Sequence, residues 1–175
     1  MNWLIRVPIG ATLIAFCAAL PAQAEGASIA GQFPARILSA HNVVRAEAKV
    51  PPLSWDPALG EQASIFAVQL ALANSFHHSD RSAREDSGEN LWMGTRGAYT
   101  YEAMVGAWSS ERRNFVPGVF PAVSRSGHWQ DVGHYTQMVW PTTTRVGCAL
   151  ASNSTTDFLV CRYASAGNIE GRSVP

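Results

Sequence analysis

Cys148 and Cys161 flank one polar turn, and no other feature of the 175-residue chain limits its fold as tightly. The runs Arg145–Ala151 (RVGCALA) and Asp157–Tyr163 (DFLVCRY) are β-like, and Ser152–Thr156 (SNSTT) separates them. An antiparallel hairpin centred on that turn sets Cys148 opposite Cys161, Val146 opposite Tyr163 and Leu150 opposite Leu159. All six then lie on one face. A single register therefore satisfies both a disulfide and an apolar face. Closing a loop of this length is worth roughly 3 kcal/mol in the chain-entropy description.

A disulfide calls for an oxidising compartment, and the N-terminus supplies the route. Arg6 is the only charge before Glu25, Val7–Leu20 is a nearly unbroken apolar run, and Pro21-Ala22-Gln23-Ala24 offers a small-x-small cleavage pattern. The run falls short of the about 20 apolar residues that span a bilayer. Residues 1–24 are thus expected to be a cleaved signal peptide, residues 25–34 a short leader, and residues 35–175 one domain. The signal is bacterial in style, and Asn153-Ser154-Thr155, which fits a glycosylation sequon, is accordingly read as a polar turn. Cleavage removes 24 of 175 residues, including Cys17 and Arg6. It leaves 151, with 12 basic against 13 acidic side chains, and only the two hairpin cysteines. With no third cysteine, a thiolate metal site cannot be completed. With no basic excess, nucleic acid and anionic membranes are not expected partners. No glycine-rich phosphate loop follows a strand and no Cys-x-x-Cys-His occurs, so nucleotide, flavin and haem are not expected either.

Upstream of the hairpin the pattern is helical. Ile37, Val44 and Ala48 recur at helical spacing between Pro34 and Lys49, and Pro51-Pro52 stops that helix. Asp56-Pro57 reads as an N-cap followed by a first-turn proline. The helix it opens runs to about Asn74, with Leu59, Ala63, Phe66, Ala67, Leu70 and Ala71 on one face. A third helix spans about Tyr101–Asn114 with Met104, Val105 and Trp108 inward. Ser75–Gly88 and Val116–Gly127 read as loops. Helices first and a hairpin last point to an α+β fold or a layered αβα sandwich, with antiparallel strands between helices. His41, Asn42 and Arg45 are expected to pin the first helix to its neighbours. The tryptophans are expected to pack in the core or on a cleft rim.

Chemistry-bearing residues stand in a fixed order: His41-Asn42-Val43-Val44-Arg45, Leu53-Ser54-Trp55, His78-Ser79, Gly88-Glu89-Asn90, Trp108-x-x-Glu111, Gly133-His134-Tyr135-Thr136-Gln137-x-Val139-Trp140, Val146-Gly147-Cys148-Ala149, and Val160-Cys161-Arg162-Tyr163 followed by Gly167-Asn168. This series resembles the CAP superfamily, the SCP domain shared by cysteine-rich secretory proteins, antigen 5 and pathogenesis-related 1 proteins. The resemblance covers about residues 35–171, as a single-domain member without the cysteine-rich extension. It implies an α+β fold, a three-layer αβα sandwich with a small antiparallel sheet between helices, and a central cleft holding His78, Glu89, Glu111 and His134, with Gln137 and Asn90 lining it. His78 and His134 become candidate ligands for a divalent metal such as zinc, and no cofactor is required. Glu89 and Glu111 become the candidate catalytic groups.

Such a cleft is expected to bind a metal, or a lipid, sterol or other small ligand, in a secreted or periplasmic monomer without established catalysis. Two alternatives stand beside it. One is a metal-assisted hydrolase or peptidase with a glutamate as general base. The other is a non-catalytic module that binds an envelope or extracellular protein, its four polar residues bracing the fold. Lipid binding would draw on apolar loop surface such as Phe115–Phe120.

Overall fold

The computed structural model of the protein describes residues 24–84 and 86–175, with side chains described from Gln32 onward. Apart from Ala24, the expected signal peptide lies outside the described residues. A four-stranded sheet in the order β1-β4-β5-β2 lies between two helical layers. The strands are β1 (Ser54–Trp55), β2 (Gly88–Thr95), β4 (Arg145–Ser152) and β5 (Thr156–Ala164). A separate antiparallel pair joins β3 (Gly118–Val119) to β6 (Ser173–Val174) and returns the C-terminus to the 116–123 segment.

The hairpin adopts the register its sequence demands. Cys148 pairs with Cys161, Val146 with Tyr163 and Leu150 with Leu159, and the cysteines are bonded. Asn153 makes the turn by accepting the amides of Thr155 and Thr156 on its Oδ1. The central strands are antiparallel as expected. The sheet as a whole is mixed, because β1 joins β4 in parallel. Both faces of the hairpin are covered. Helix α2 (Pro57–Ala73) lies on one, where Ala63, Phe66, Ala67, Leu70 and Ala71 meet Leu91, Phe158 and Val160. Helices α1 (Ala24–Glu47), α3 (Tyr101–Ser109) and α4 (Gly133–Met138) cover the other. There Ile37, Met104, Trp108, Met138 and Trp140 meet Val146, Cys148, Cys161 and Tyr163. This is the αβα sandwich.

Local chemistry sets the helix ends. The Asp56 carboxylate accepts the amides of Ala58 and Leu59 at 2.9 and 3.3 Å, and Asn74 ends α2 in the left-handed conformation. Thr100 caps α3 through the amide of Ala103. Beyond Ser109 the expected third helix tightens to a 3-10 turn over Ser110–Asn114. Helix α1 begins at Ala24, ten residues before Pro34, which sits inside it. The expected helix, read from the spacing of Ile37, Val44 and Ala48 after Pro34, covers only its later part. Within the two expected loops, Arg81–Arg84 forms a 3-10 helix and Gly118–Val119 a strand. Phe115 and Phe120 are buried in the core, so the loop surface expected from them is reduced to the exposed Val116 and Val119.

Two buried side chains of α1 tie the layers together. Arg45 donates to the carbonyls of Pro51, Met138, Trp140 and Thr143 at 2.6–3.0 Å. Burial lowers it to about 10, so it stays charged at neutral pH and caps the C-terminal end of α4. His41 bonds the Ile37 carbonyl through Nδ1 (2.8 Å) and the Tyr163 hydroxyl through Nε2 (2.8 Å). A carbonyl only accepts, so Nδ1 carries the proton and Nε2 accepts from Tyr163. The Tyr163 hydroxyl in turn accepts from Asn90 Nδ2, which also donates to the His134 carbonyl. One unbroken chain thus runs from α1 through the sheet to α4.

Two predictions follow from this packing. Gly147 brings β4 so close to α2 that an added Cβ would lie 2.2 Å from the Gly60 nitrogen and 2.4 Å from the Asp56 oxygen. Both are backbone atoms, so Gly147→Ala should cost about 2–3 kcal/mol in urea unfolding. Desolvation holds His41 down at about 4, the Ile37 bond opposing and the Arg45 charge adding. Between about 6.5 in the unfolded chain and 4 in the folded one, only the unfolded chain is protonated there. Stability should therefore fall by about 3 kcal/mol from pH 7.5 to 4. His41→Gln, less stable throughout, should flatten that slope in urea melts.

Candidate functional site

The site lies where the two helical layers meet across the start of β2. Successive side chains of a strand face opposite sheet faces, so Gly-Glu-Asn serves both layers at once. Glu89 turns toward the α2 side, where the chain leaving that helix supplies His78 and Ser79. Asn90 turns toward α4 and holds the His134 carbonyl. Gly88 comes first because a Cβ there would lie 2.0 Å from Gln137 Oε1. That oxygen is committed to the amide of Gly167 at 2.8 Å.

The four expected cleft residues form two pairs. In the first, His78 Nδ1 stands 2.7 Å from Glu89 Oε1, the amide of Ser79 donates to the same oxygen, and the Ser79 hydroxyl donates to Oε2 at 2.9 Å. Arg162 approaches Oε2 at 3.2 Å. Glu89 is fully buried, and burial alone would raise its pKa. The His78 bond, the Arg162 charge and the two Ser79 bonds outweigh that and hold it below the usual carboxylate range. In the second pair, Glu111 Oε1 stands 2.6 Å from His134 Nδ1, while Oε2 accepts the amides of His134 and Tyr135, each at 3.0 Å. Those are first-turn amides of α4, so a side chain from the end of the α3 segment caps a helix 23 residues away in sequence. The Trp108 ring stacks on His134 at 6.2 Å, and its Nε1 donates to the Leu91 carbonyl.

A carboxylate can only accept, so in each pair Nδ1 carries the proton and Nε2 is the ring's open nitrogen. The His78 side chain is 54% exposed and that of His134 32%. Both line a cleft of about 1210 Å³, together with Glu89, Asn90, Gln137, Phe120, Trp129 and the 165–170 segment. Glu111 is absent from the lining and stands behind His134. His77 turns away and meets the edge of Phe66, so His78 is the one that meets Glu89. Among the described residues, no group of three or more His, Cys, Asp or Glu is placed to hold a metal ion. What the site does offer is two imidazoles, His78 and His134, each oriented at Nδ1 by a carboxylate.

Several partners escaped sequence reasoning. Arg162 interrupts the apolar run Leu159-Val160-Cys161 on a central strand, and a charge there signals a buried counter-charge. Asn168 accepts from Thr136 and donates to the Gly133 carbonyl, fastening the cleft wall to α4. Only its place in the motif series marked it.

The family model for the cysteine-rich secretory protein family matches residues 38–163. The chain belongs to the CAP family. It is 34% identical over 137 residues to pathogenesis-related protein 1C of Nicotiana tabacum, covering 78% of this chain and 77% of that protein. It is also 34% identical over 145 residues to Golgi-associated plant pathogenesis-related protein 1 of Homo sapiens, covering 82% and 90%. Among solved structures, that of NaASP2 with Zn2+ superposes with a TM-score of 0.70 at 26% identity, covering 80% of this chain and 83% of that one. Venom allergen-like protein 4 of Schistosoma mansoni shares the fold at 23% identity and a TM-score of 0.64, covering 82% and 94%. Among the described residues of this CAP protein, no helix is long and apolar enough to cross a membrane.

Glu111 joins three donors from α4, and a glutamine offers one acceptor oxygen where two are used. Glu111→Gln should lower stability by about 1–2 kcal/mol. It should also speed hydrogen exchange at the His134 and Tyr135 amides, which a loss confined to the imidazole would leave unchanged.

Proposed function

We propose that this CAP domain works outside the cytoplasm as a binding protein whose cleft holds a divalent metal ion, such as zinc, through Nε2 of His78 and His134. The observation that carries the reading is the shared state of the two imidazoles. Each has its Nδ1–H taken by a carboxylate, which leaves each with a lone pair at Nε2, the arrangement typical of histidines that ligate metal. Water or a bound ligand completes the shell, so affinity is modest and falls as protons compete for the imidazoles. A bound metal would supply a Lewis-acidic anchor for a ligand oxygen. Phe120, Trp129 and Ile169 give the same cleft an apolar wall, which suits a lipid, sterol or other small molecule. NaASP2, a structural neighbour, has been solved with Zn2+.

The hydrolase alternative needs a glutamate free to take a proton from water. Glu89 is closed off by His78, Ser79 and Arg162, and Glu111 is spent on His134 and two amides. Ser79 is buried, outside the cleft lining, with its hydroxyl given to Glu89. This favours binding over turnover. The export reading, with residues 1–24 as a bacterial-type signal and 35–175 as the domain, goes with the family's generally secreted members.

Calorimetric titration with zinc at pH 7.5 should give one site of micromolar order, weakened at least roughly tenfold by His78→Ala and by His134→Ala. Silence in the calorimeter, with both variants differing from the parent only in melting temperature, would make the two pairs braces.

A further inference from the structure

Beside His78 the cleft is lined by the 3-10 helix Arg81–Arg84 and by Ser87. The side chains of Arg81, Arg84 and Ser87 make no hydrogen bond among the described residues. Neither Arg81 nor Arg84 is within ion-pair distance of a carboxylate among the described residues. Arg84 Nε and the Ser87 hydroxyl are shielded from solvent without any hydrogen-bond partner, and Ser87 is only 8% exposed. Behind them Arg162, 3% exposed, spends Nη2 on Glu89 and leaves Nε and Nη1 without an acceptor. A guanidinium has no acceptor atoms, so two arginines cannot satisfy one another. Their charges repel as well, since Arg84 makes the Arg162 charge costlier, adding to the cost of burial that Glu89 opposes. Asp86 and Glu170 also line the cleft, but both are exposed to water.

Among the described residues, the only carboxylate oxygen that these donors meet is that of Glu89, on Arg162 Nη2. We propose that Arg81, Arg84 and Ser87 form an oxyanion subsite that receives a phosphate or sulfate group on the cleft ligand, with Arg162 adding charge from behind. A tetrahedral oxyanion offers a guanidinium two oxygens at once and keeps others for a hydroxyl, which a carboxylate does less well. The rest of the ligand then extends past His78 along the apolar wall of Phe120 and Trp129. The subsite stands apart from the metal reading, because none of its donors ligates a metal.

The test is titration with inorganic phosphate in EDTA at constant ionic strength, followed by the amide NMR signals of residues 81–88. Saturable shifts are expected. Arg84→Gln and Arg81→Gln should each weaken binding by roughly tenfold, Ser87→Ala by less, and melting temperatures should stay close to the parent's. Shifts that never saturate, or an Arg81→Gln/Arg84→Gln double variant that binds as the parent does, would overturn the subsite. Phosphatidylcholine vesicles with and without phosphatidic acid then separate two sources of the anion. Capture that needs phosphatidic acid, is blocked by inorganic phosphate and is lost in the double variant assigns a lipid headgroup. Phosphate binding without capture assigns a soluble ligand. EDTA removes zinc throughout, so failure of the metal site leaves this result intact.

Discussion

The hydrogen-bond chain from the Ile37 carbonyl through His41, Tyr163 and Asn90 to the His134 carbonyl is the part on which the remainder depends. Every link is buried or nearly so, where an unpaired polar group costs about 1–3 kcal/mol. Each donor has a definite acceptor, and the direction of donation is fixed at one end by a carbonyl. Removing any link strands its neighbours, so the layers cannot slide independently. The chain also explains why a purely apolar interface would not serve. Apolar contacts leave several packings of similar energy, whereas this chain fixes where β2 stands relative to α4.

The cleft inherits that precision. His78 and His134 belong to opposite layers, and β2 links them by pointing Glu89 one way and Asn90 the other. Each imidazole is held at Nδ1 by a carboxylate that is itself occupied on both oxygens. Glu89 is tied to the start of the Ser75–Ser87 segment, and Glu111 to the first turn of α4. Each glutamate thus does two things in one act: it braces the fold and sets the tautomer that faces the cleft.

Much of this was legible in the sequence, for identifiable reasons. The hairpin register followed from period-two patterning plus two cysteines. The buried face of α2 followed from helical periodicity between a capped start and Asn74. Those signals are local. The start of α1 was missed because the positions that carried its periodicity, Ile37, Val44 and Ala48, all lie after Pro34. Strand β2 was invisible as a strand because its first three residues, Gly88-Glu89-Asn90, are poor strand formers, placed there by the site they build. Helix α4 is six residues long, too short for periodicity to reveal. The cleft residues themselves were found through the resemblance to CAP proteins, since nothing local announces that Glu111 caps a helix or that Arg162 backs Glu89. Long-range polar pairing leaves little trace in sequence beyond a charge in an apolar run.

The position of the disulfide has a kinetic meaning. Cys148 and Cys161 face the α1 and α3 layer and are shut away from solvent, Cys161 completely. A thiolate reductant can reach them only when that layer parts from the sheet or the hairpin's edge frays. The bond is therefore a clock wired into the sandwich. How fast it yields to a reductant counts how often the layers open, and comparison with global unfolding tells whether they open alone or together.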